Sequence, residues 1–375
     1  MNRSECLPKA QRIVIKVGTN VITTQSGRLD PEQMKNLVSQ MASLAKQGRQ
    51  LLLVTSGAIA AGLERLGIEE RPNAIPALQA AASVGQGLLL QQYTSLFDEY
   101  DIRIGQVLLT QFDITHRESY VNASNTFEKL LELGVIPVVN ENDTTAVEEI
   151  KFGDNDTLAA LVTNLAKADL LVILTDMEGL YTADPRLDPE ARLISDVPEI
   201  TSEIEQLAGD TRTTFGSGGM VTKIQAARIV TFAGAAMVMA DGRKENVLLD
   251  IIAAKPVGTC FSPKKKKLAS RKAWIAFGKS VKGTIIVDEG ARDALLTKGK
   301  SLLPAGIVAC EGDFAMGDAV NVADVKGNVF ARGLINFSLS ELDQVKGLKS
   351  SEVSKVLTEE ASEEVIHRDC LVILK

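Results

Sequence analysis

From about residue 12 to residue 260 the chain repeats one pattern: a largely apolar run, a turn of Gly, Ser, Asn or Asp, then a segment with helical spacing. The runs occupy residues 13–17, 51–54, 102–109, 135–139 and 170–174. A strand with one wet face alternates apolar and polar residues, whereas a strand covered on both faces reads as a nearly continuous hydrophobe. Strands of the second kind, separated by helices, build a mainly parallel α/β sheet sandwiched between helical layers. The helices carry their own signals. Asp30-Pro31 is an N-cap followed by proline at the first helical position, and Leu37, Met41, Leu44 and Ala45 supply an apolar face. Residues 76–97, 157–167 and 221–233 read as further helices.

The pattern breaks at Ser262-Pro263-Lys264-Lys265-Lys266-Lys267. Beyond it, short strand-like runs at 284–287, 306–309, 319–322 and 329–334 are punctuated by Gly, Asp and Asn, as expected of a small β-barrel or sandwich. The expected organisation is an α/β domain over residues 10–262, a basic linker over 263–277 and a β domain over 278–375. A chain of 375 residues is long enough for two cores.

Composition removes several classes of function. A net charge of −7 argues against bulk binding to a phosphate backbone, and 4% aromatic residues leave few platforms for stacking bases. The four cysteines are scattered, with no Cys-x-x-Cys pair, which suits a reducing compartment better than a disulfide framework or zinc site. Two histidines, His116 and His367, are too few for a histidine metal cluster or a triad with any redundancy. No apolar run approaches the roughly 20 residues that span a bilayer, and residues 1–9 lack the apolar centre of a signal peptide. A cytoplasmic protein without membrane contact is expected.

Open parallel sheets bind ligands beyond the carboxyl ends of their strands. Here those ends carry unusual chemistry. Lys16 interrupts the first apolar run one residue before Val17-Gly18, and lysine is rarely buried without a partner. Either the strand is an edge with Lys16 in water, or Lys16 points off the strand end toward an anion. The loop Gly216-Ser217-Gly218-Gly219 opens a helix beginning at Met220-Val221-Thr222-Lys223, and free N–H groups at a helix start suit a phosphate. A flexible surface loop with a solvated lysine is the plainer reading. Lys16 and Lys223 together would clamp a phosphoryl group from two sides, a transfer that needs positioning and charge more than covalent help. Asp156, in Gly153-Asp154-Asn155-Asp156, would hold both ammonium groups in place by offsetting their repulsion, would cap the helix that follows, or would do both. A second polar cluster, Asn140-Glu141-Asn142-Asp143, follows residues 135–139. Asp143 and Asp154 suit an ammonium group, and Ser56, Asn140 and Asn155 offer hydrogen bonds to a carboxylate, which together describe an amino-acid pocket. Two Gly-Lys-Ser triplets, at 278–280 and 299–301, lack the upstream glycine of a P-loop, where Ala273 and Ala294 stand instead.

The ordered set Val14–Gly18, Thr55–Ala58, Asn140–Asp143, Gly153–Asp156, Thr175-Asp176-Met177-Glu178-Gly179-Leu180-Tyr181 with Asp184-Pro185, and Gly218-Gly219-Met220 with Lys223 resembles the amino-acid kinase family, in its bacterial glutamate 5-kinase branch. The region after residue 275 resembles the PUA domain that many of these enzymes carry. The resemblance implies ATP-dependent phosphorylation of the L-glutamate side-chain carboxylate in proline biosynthesis, with Mg²⁺ carried on ATP and no protein metal ligands identified. Carried across position by position, it makes Lys16, Lys223 and Asp156 catalytic. Ser56, Asp143, Asn155, Asp154 and Asn140 would bind glutamate. Thr175, Asp176, Ser217, Gly218, Gly219, Met220, Val221 and Thr222 would contact ATP alongside the two lysines. Ser217 and Thr19 stand where the family often has threonine and serine, and both keep the hydroxyl. It further implies feedback inhibition by proline, a homo-oligomer, and the next enzyme of proline biosynthesis as a partner to consider.

Aspartokinase, acetylglutamate kinase and uridylate kinase are the rivals within the family. The tail disfavours them, since aspartokinases usually carry ACT domains and the others usually end after the kinase fold. RNA binding by the tail is the alternative of another class. The linker gathers +6 from Lys264–Lys267, Arg271 and Lys272, but residues 278–375 hold 12 Lys/Arg against 15 Asp/Glu, a net of −3. That balance argues against RNA as a partner.

Overall fold

The computed structural model describes residues 2–110, 113–114, 117–145, 155–209, 219–264, 272, 275, 281–357 and 362–374. The chain divides into two compact units, Met1–Lys267 and Leu268–Lys375.

In the first unit, β1 (Arg12–Val17), β2 (Gln50–Thr55), β3 (Ile104–Leu109), β4 (Ile136–Glu141), β5 (Leu170–Thr175), β6 (Asp196–Val197), β7 (Ala236–Asp241) and β8 (Thr259–Phe261) form one sheet in the order β3-β4-β2-β1-β5-β7-β8-β6. Every pairing is parallel except β7 with β8. Strand β7 was not signalled in the sequence: its run Ala-Met-Val-Met-Ala has only one β-branched residue and follows a helix of similar composition. The helices are α1 (Arg3–Cys6), α2 (Thr19–Ile22), α3 (Pro31–Lys46), α4 (Ala58–Leu66), α5 (Ile75–Asp98), α6 (Arg117–Glu132), α7 (Asn155–Leu165), α8 (Ser202–Gly209), α9 (Met220–Ala233) and α10 (Val247–Ile252). As its sequence requires, α3 starts on an Asp30 carboxylate that accepts from the Gln33 N–H. None of the described helices is long and apolar enough to cross a membrane.

Alternation along β1 decides where Lys16 goes. Ile13, Ile15 and Val17 pack into the core shared with Leu37, Met41 and Leu89, on the face covered by α3 and α5. Successive side chains point to opposite faces, so Val14 and Lys16 lie on the other face, where α7 packs. Strand β1 pairs with both β2 and β5. It is a central strand, which removes the edge-strand reading of Lys16.

Helices α4 and α5 approach unusually closely. Ala58, Ala61 and Gly62 on one face Ala81, Ala82 and Gly85 on the other, all buried. A Cβ on Gly85 would sit 1.8 Å from the Ala58 carbonyl oxygen, and one on Gly62 would sit 1.8 Å from that of Ala81. Both obstacles are backbone, so the helices themselves would have to part. Gly85→Ala is expected to cost about 1–3 kcal/mol by overpacking, despite alanine's better helix propensity. A thermal midpoint equal to or above that of the wild type would contradict this.

In the second unit β9 (Val281–Val287), β10 (Ile307–Gly312), β11 (Ala319–Asp324), β12 (Val329–Leu334) and β13 (Leu371–Ile373) form a mixed sheet in the order β10-β9-β11-β12-β13. Its core gathers Ile285, Val287, Val320, Val322, Phe330 and Phe337. The sequence pattern anticipated β9 to β12, but neither β13 nor the helices Glu289–Lys298, Leu339–Val345 and Ser350–Val356 that accompany them. Gly299 of the second Gly-Lys-Ser triplet is a left-handed helix C-cap, so that triplet ends a helix and does not open one. The first triplet, at 278–280, lies outside the described residues. Lys264, expected within a solvated linker, is instead tied to the first unit: its ammonium pairs with Glu199 at 3.1 Å and stands 4.1 Å from the centre of the Phe232 ring.

Candidate active site

The carboxyl ends of β1, β2, β4 and β5 open toward two helix N-termini, those of α7 and α9. Helix α7 starts at Asn155, two residues earlier than its apolar run suggested, so Asn155 and Asp156 lie in its first turn. Lys223 lies one turn into α9, whose N-cap is Gly219. Both helix starts present N–H groups and partial positive charge to the same region, as anion sites require.

Asp156 joins the two helices and the sheet. Its Oδ1 accepts from the Lys16 ammonium at 2.6 Å, and its Oδ2 accepts from the Lys223 ammonium at 3.1 Å and the Thr222 hydroxyl at 2.9 Å. Asp156 is fully buried, and Lys16 and Lys223 are only 7% and 5% exposed. Burial by itself would raise the Asp156 carboxyl, but the ammonium groups of Lys16 and Lys223, with the Lys16 and Thr222 hydrogen bonds, hold it well below the ordinary carboxylate range. One carboxylate between two ammonium groups leaves the trio one positive charge in excess. Gly18 completes its edge: a side chain there would stand 3.8 Å from the Lys16 nitrogen. Helix α7 begins at Asn155, so Asp156 lies in its first turn while its carboxylate accepts from Lys16, Lys223 and Thr222.

A second group of polar side chains gathers beside the trio. The Asn155 Nδ2 lies 2.9 Å from the Thr55 carbonyl, 3.0 Å from Ser56 Oγ and 3.0 Å from Asn140 Oδ1. Asn140 donates in turn to Gln86 Oε1 at 2.7 Å. Ser56 sits in the turn between β2 and α4, where Gly57 takes a left-handed conformation (φ 100°) that admits the sharp change of direction. Asp143 is half-buried, three residues beyond Asn140. Gln86 had no signal in the sequence, because nothing in the pattern of α5 distinguishes it from Gln91 or Gln92; only the close approach at Gly85 brings it here.

At the end of β5 the Thr175 hydroxyl donates to Asp176, which also accepts from Asn20 at 2.9 Å. Burial works against ionisation of Asp176, and the Asn20 amide, its own backbone N–H and Thr175 more than offset it, so its pKa is lowered. Thr175 lies opposite Asp241 on β7, and the Gly242 N–H donates to the Thr175 carbonyl at 2.9 Å. Asn20 is a second residue the sequence did not single out. Met220 is buried and Val221 is 55% exposed at the start of α9. Asp154, Ser217 and Gly218, all expected in the site, lie outside the described residues.

Two family models match the sequence: that of the amino acid kinase family over residues 11–240, and that of the PUA domain over residues 283–357. A glutamate 5-kinase of Thermoanaerobacter sp. (strain X514) is 49% identical over 364 residues, which cover 97% of this chain and 98% of that protein. One from Caldanaerobacter subterraneus subsp. tengcongensis is 50% identical over 364 residues with the same coverage. One from Geobacter sp. (strain M21) is 46% identical over 372 residues, 99% of this chain and 100% of that protein. Among solved structures, carbamate kinase from Giardia lamblia bound to AMP-PNP superposes with a TM-score of 0.51 at 17% identity, covering 68% of this chain and 100% of that one. A likeness at that identity bears on the fold alone.

Proposed function

The chain belongs to the amino acid kinase family, among its glutamate 5-kinases, and on that premise we propose that it transfers the γ-phosphoryl group of ATP to the side-chain carboxylate of L-glutamate. The observation that carries this reading is the buried trio Lys16–Asp156–Lys223 at two converging helix N-termini. A γ-carboxylate oxygen attacks the γ-phosphorus, the bond to the bridging oxygen of ADP breaks, and γ-glutamyl phosphate and ADP result. A carboxylate with a pKa near 4.3 is already ionised at neutral pH, so no general base is needed. What the protein must do is hold two anions together and stabilise charge spread over the phosphoryl oxygens. Lys16 and Lys223 serve that charge, and Asp156 keeps them in place. Backbone N–H groups at the start of α9 and the Thr175-Asp176 turn would hold the nucleotide. Mg²⁺ enters with the ATP phosphates, which supply most of its oxygen ligands; among the described residues no group of three or more His, Cys, Asp or Glu gathers to cage an ion.

The polar group around Asn155 suits the acceptor amino acid: hydrogen bonds from Ser56 and the amides for its α-carboxylate, Asp143 with Asp154 for its ammonium. The same reading assigns the enzyme to the cytoplasm, to the first step of proline biosynthesis, and to inhibition by proline at the glutamate pocket. Asp143→Ala is accordingly expected to raise the KM for glutamate at least tenfold, weaken proline inhibition in parallel, and change the KM for ATP little. Equal effects on both substrates would remove Asp143 from the amino-acid pocket. The reading itself is tested by ATP- and Mg²⁺-dependent hydroxamate formation in hydroxylamine, comparing L-glutamate, L-aspartate and N-acetyl-L-glutamate. A signal with either of the other acids and none with glutamate would overturn the substrate, and no signal from folded, ATP-binding protein would overturn acyl-phosphate chemistry.

A further inference from the structure

A single backbone carbonyl dictates the polarity of the whole amide cluster. The Thr55 oxygen only accepts, so the Asn155 atom facing it must be the NH₂ group, as found at 2.9 Å. The Asn140 atom facing that NH₂ must then be Oδ1, and the Asn140 NH₂ is turned to the other side, where it meets Gln86 Oε1 at 2.7 Å. Gln86 is the terminal acceptor of a relay whose donor end is the Asn155 NH₂, oriented by Thr55, and which passes through Asn140. Asn140 is only 2% exposed, so water is a poor substitute for that acceptor. With a non-accepting side chain at 86, Asn140 either leaves a buried N–H unpaired or flips. A flip would set NH₂ against NH₂ at Asn155, a contact neither side can satisfy.

The relay also sets what Ser56 can do. The Asn155 NH₂ shares its two protons among Thr55 O, Asn140 Oδ1 and Ser56 Oγ, and because Ser56 Oγ faces a group that only donates, its own proton stays available, with a carboxylate oxygen as a natural acceptor. From this geometry we infer that Gln86 is a positioning residue for the acceptor amino acid: it fixes the amide orientation of Asn140 and Asn155, and thereby the direction in which Ser56 donates, without touching substrate itself. Gly85 is the structural condition for it. Only a residue without a side chain lets α5 come this close to the Ala58 carbonyl, two residues from Ser56, and Gln86 follows immediately.

The inference rests on the amino-acid kinase reading, and the experiment separates the two. Steady-state hydroxamate kinetics are measured for the wild type, Gln86→Leu and Gln86→Glu, with whichever amino acid the wild type phosphorylates. Gln86→Leu should raise the KM for that amino acid roughly ten- to a hundredfold and leave the KM for ATP within about twofold. Gln86→Glu still offers Asn140 an acceptor oxygen and should stay within about threefold of the wild type in both. The thermal midpoint of Gln86→Glu should stay close to that of the wild type, whereas Gln86→Leu, which leaves the buried Asn140 N–H without its acceptor, should melt somewhat lower, a loss that does not by itself separate the two KM values. An unchanged amino-acid KM in Gln86→Leu, an ATP KM raised equally, or equal losses in Leu and Glu variants would overturn the positioning role. An inactive wild type would instead strike at the kinase reading, and amino-acid affinity measured by calorimetry on the same three proteins would then decide the role of Gln86.

Discussion

Asp156→Ala should lose at least three orders of magnitude in turnover and unfold at a markedly lower temperature. The substitution removes the carboxylate to which both ammonium groups donate, in a site where Lys16 and Lys223 are only 7% and 5% exposed. Breaking a buried ion pair by removing one partner costs about 3–5 kcal/mol, because the remaining charge stays desolvated without compensation. For a domain of this size that corresponds to a fall of roughly 6–20 °C in Tm. Turnover suffers separately, since losing one preorganised group opposite developing charge costs about 10²–10³. Here both lysines are released at once. Asp156→Asn keeps the shape and one acceptor oxygen but no charge, so it should retain more stability than Asp156→Ala while remaining nearly as inactive. The pH dependence carries a definite sign. The folded pKa of Asp156 lies far below the unfolded value near 3.9, so the unfolded chain binds more protons between the two. Stability from this group is complete above about pH 4–5 and is lost as pH falls through that window toward the folded pKa. Acid unfolding of Asp156→Asn should therefore show a shallower limb there. A variant with wild-type turnover, or an identical acid limb, would show that the lysines are held by other means.

Much of this site was legible because its chemistry contradicts its surroundings. Lys16 inside an apolar strand and three polar residues ahead of an apolar helix have no reason in packing alone, and the structure brings Lys16, Asp156 and Lys223 together across 207 positions of chain. Strands β1, β2, β4 and β5 were equally plain, since strands buried on both faces leave continuous apolar runs, and the edge strand β3 was found with them, whereas β6, β7 and β8 were not. Strand β7 escaped because alanine and methionine serve helices as readily as strands, and its register is set by β5 rather than by its own composition. Gln86 and Asn20 escaped for another reason. Each is an ordinary polar residue on an ordinary segment, and its place in the site exists only once two distant elements have docked. For Gln86 the sole trace in the sequence is the small-residue faces of α4 and α5, which indicate close helix approach but not what that approach delivers.

Lys16→Met should separate catalysis from stability in the way Asp156→Ala does not. Removing this ammonium leaves Asp156 still paired with Lys223 at 3.1 Å and still accepting from Thr222, so the buried site goes from one excess positive charge to neutral. Methionine keeps an unbranched stem in the same channel beneath α7. Replacing one member of a buried charged group by an apolar side chain of similar volume is often neutral or stabilising when the rest remains paired. The thermal midpoint is therefore expected to match or slightly exceed that of the wild type. Turnover should nevertheless fall by about 10²–10³, because a charge aimed at the phosphoryl oxygens acts mainly as they gain negative character in the transition state. The kinetic signature distinguishes this from simple nucleotide binding: kcat falls while the KM for ATP moves little. A raised ATP KM with kcat intact would make Lys16 a ground-state anchor for the triphosphate. Combined with Asp156→Asn, Lys16→Met should cost far less in turnover than the product of the single losses, since residues acting as a unit are strongly non-additive. Additive losses would mean that Asp156 and Lys16 work independently, and the clamp would have to be redrawn around Lys223 alone.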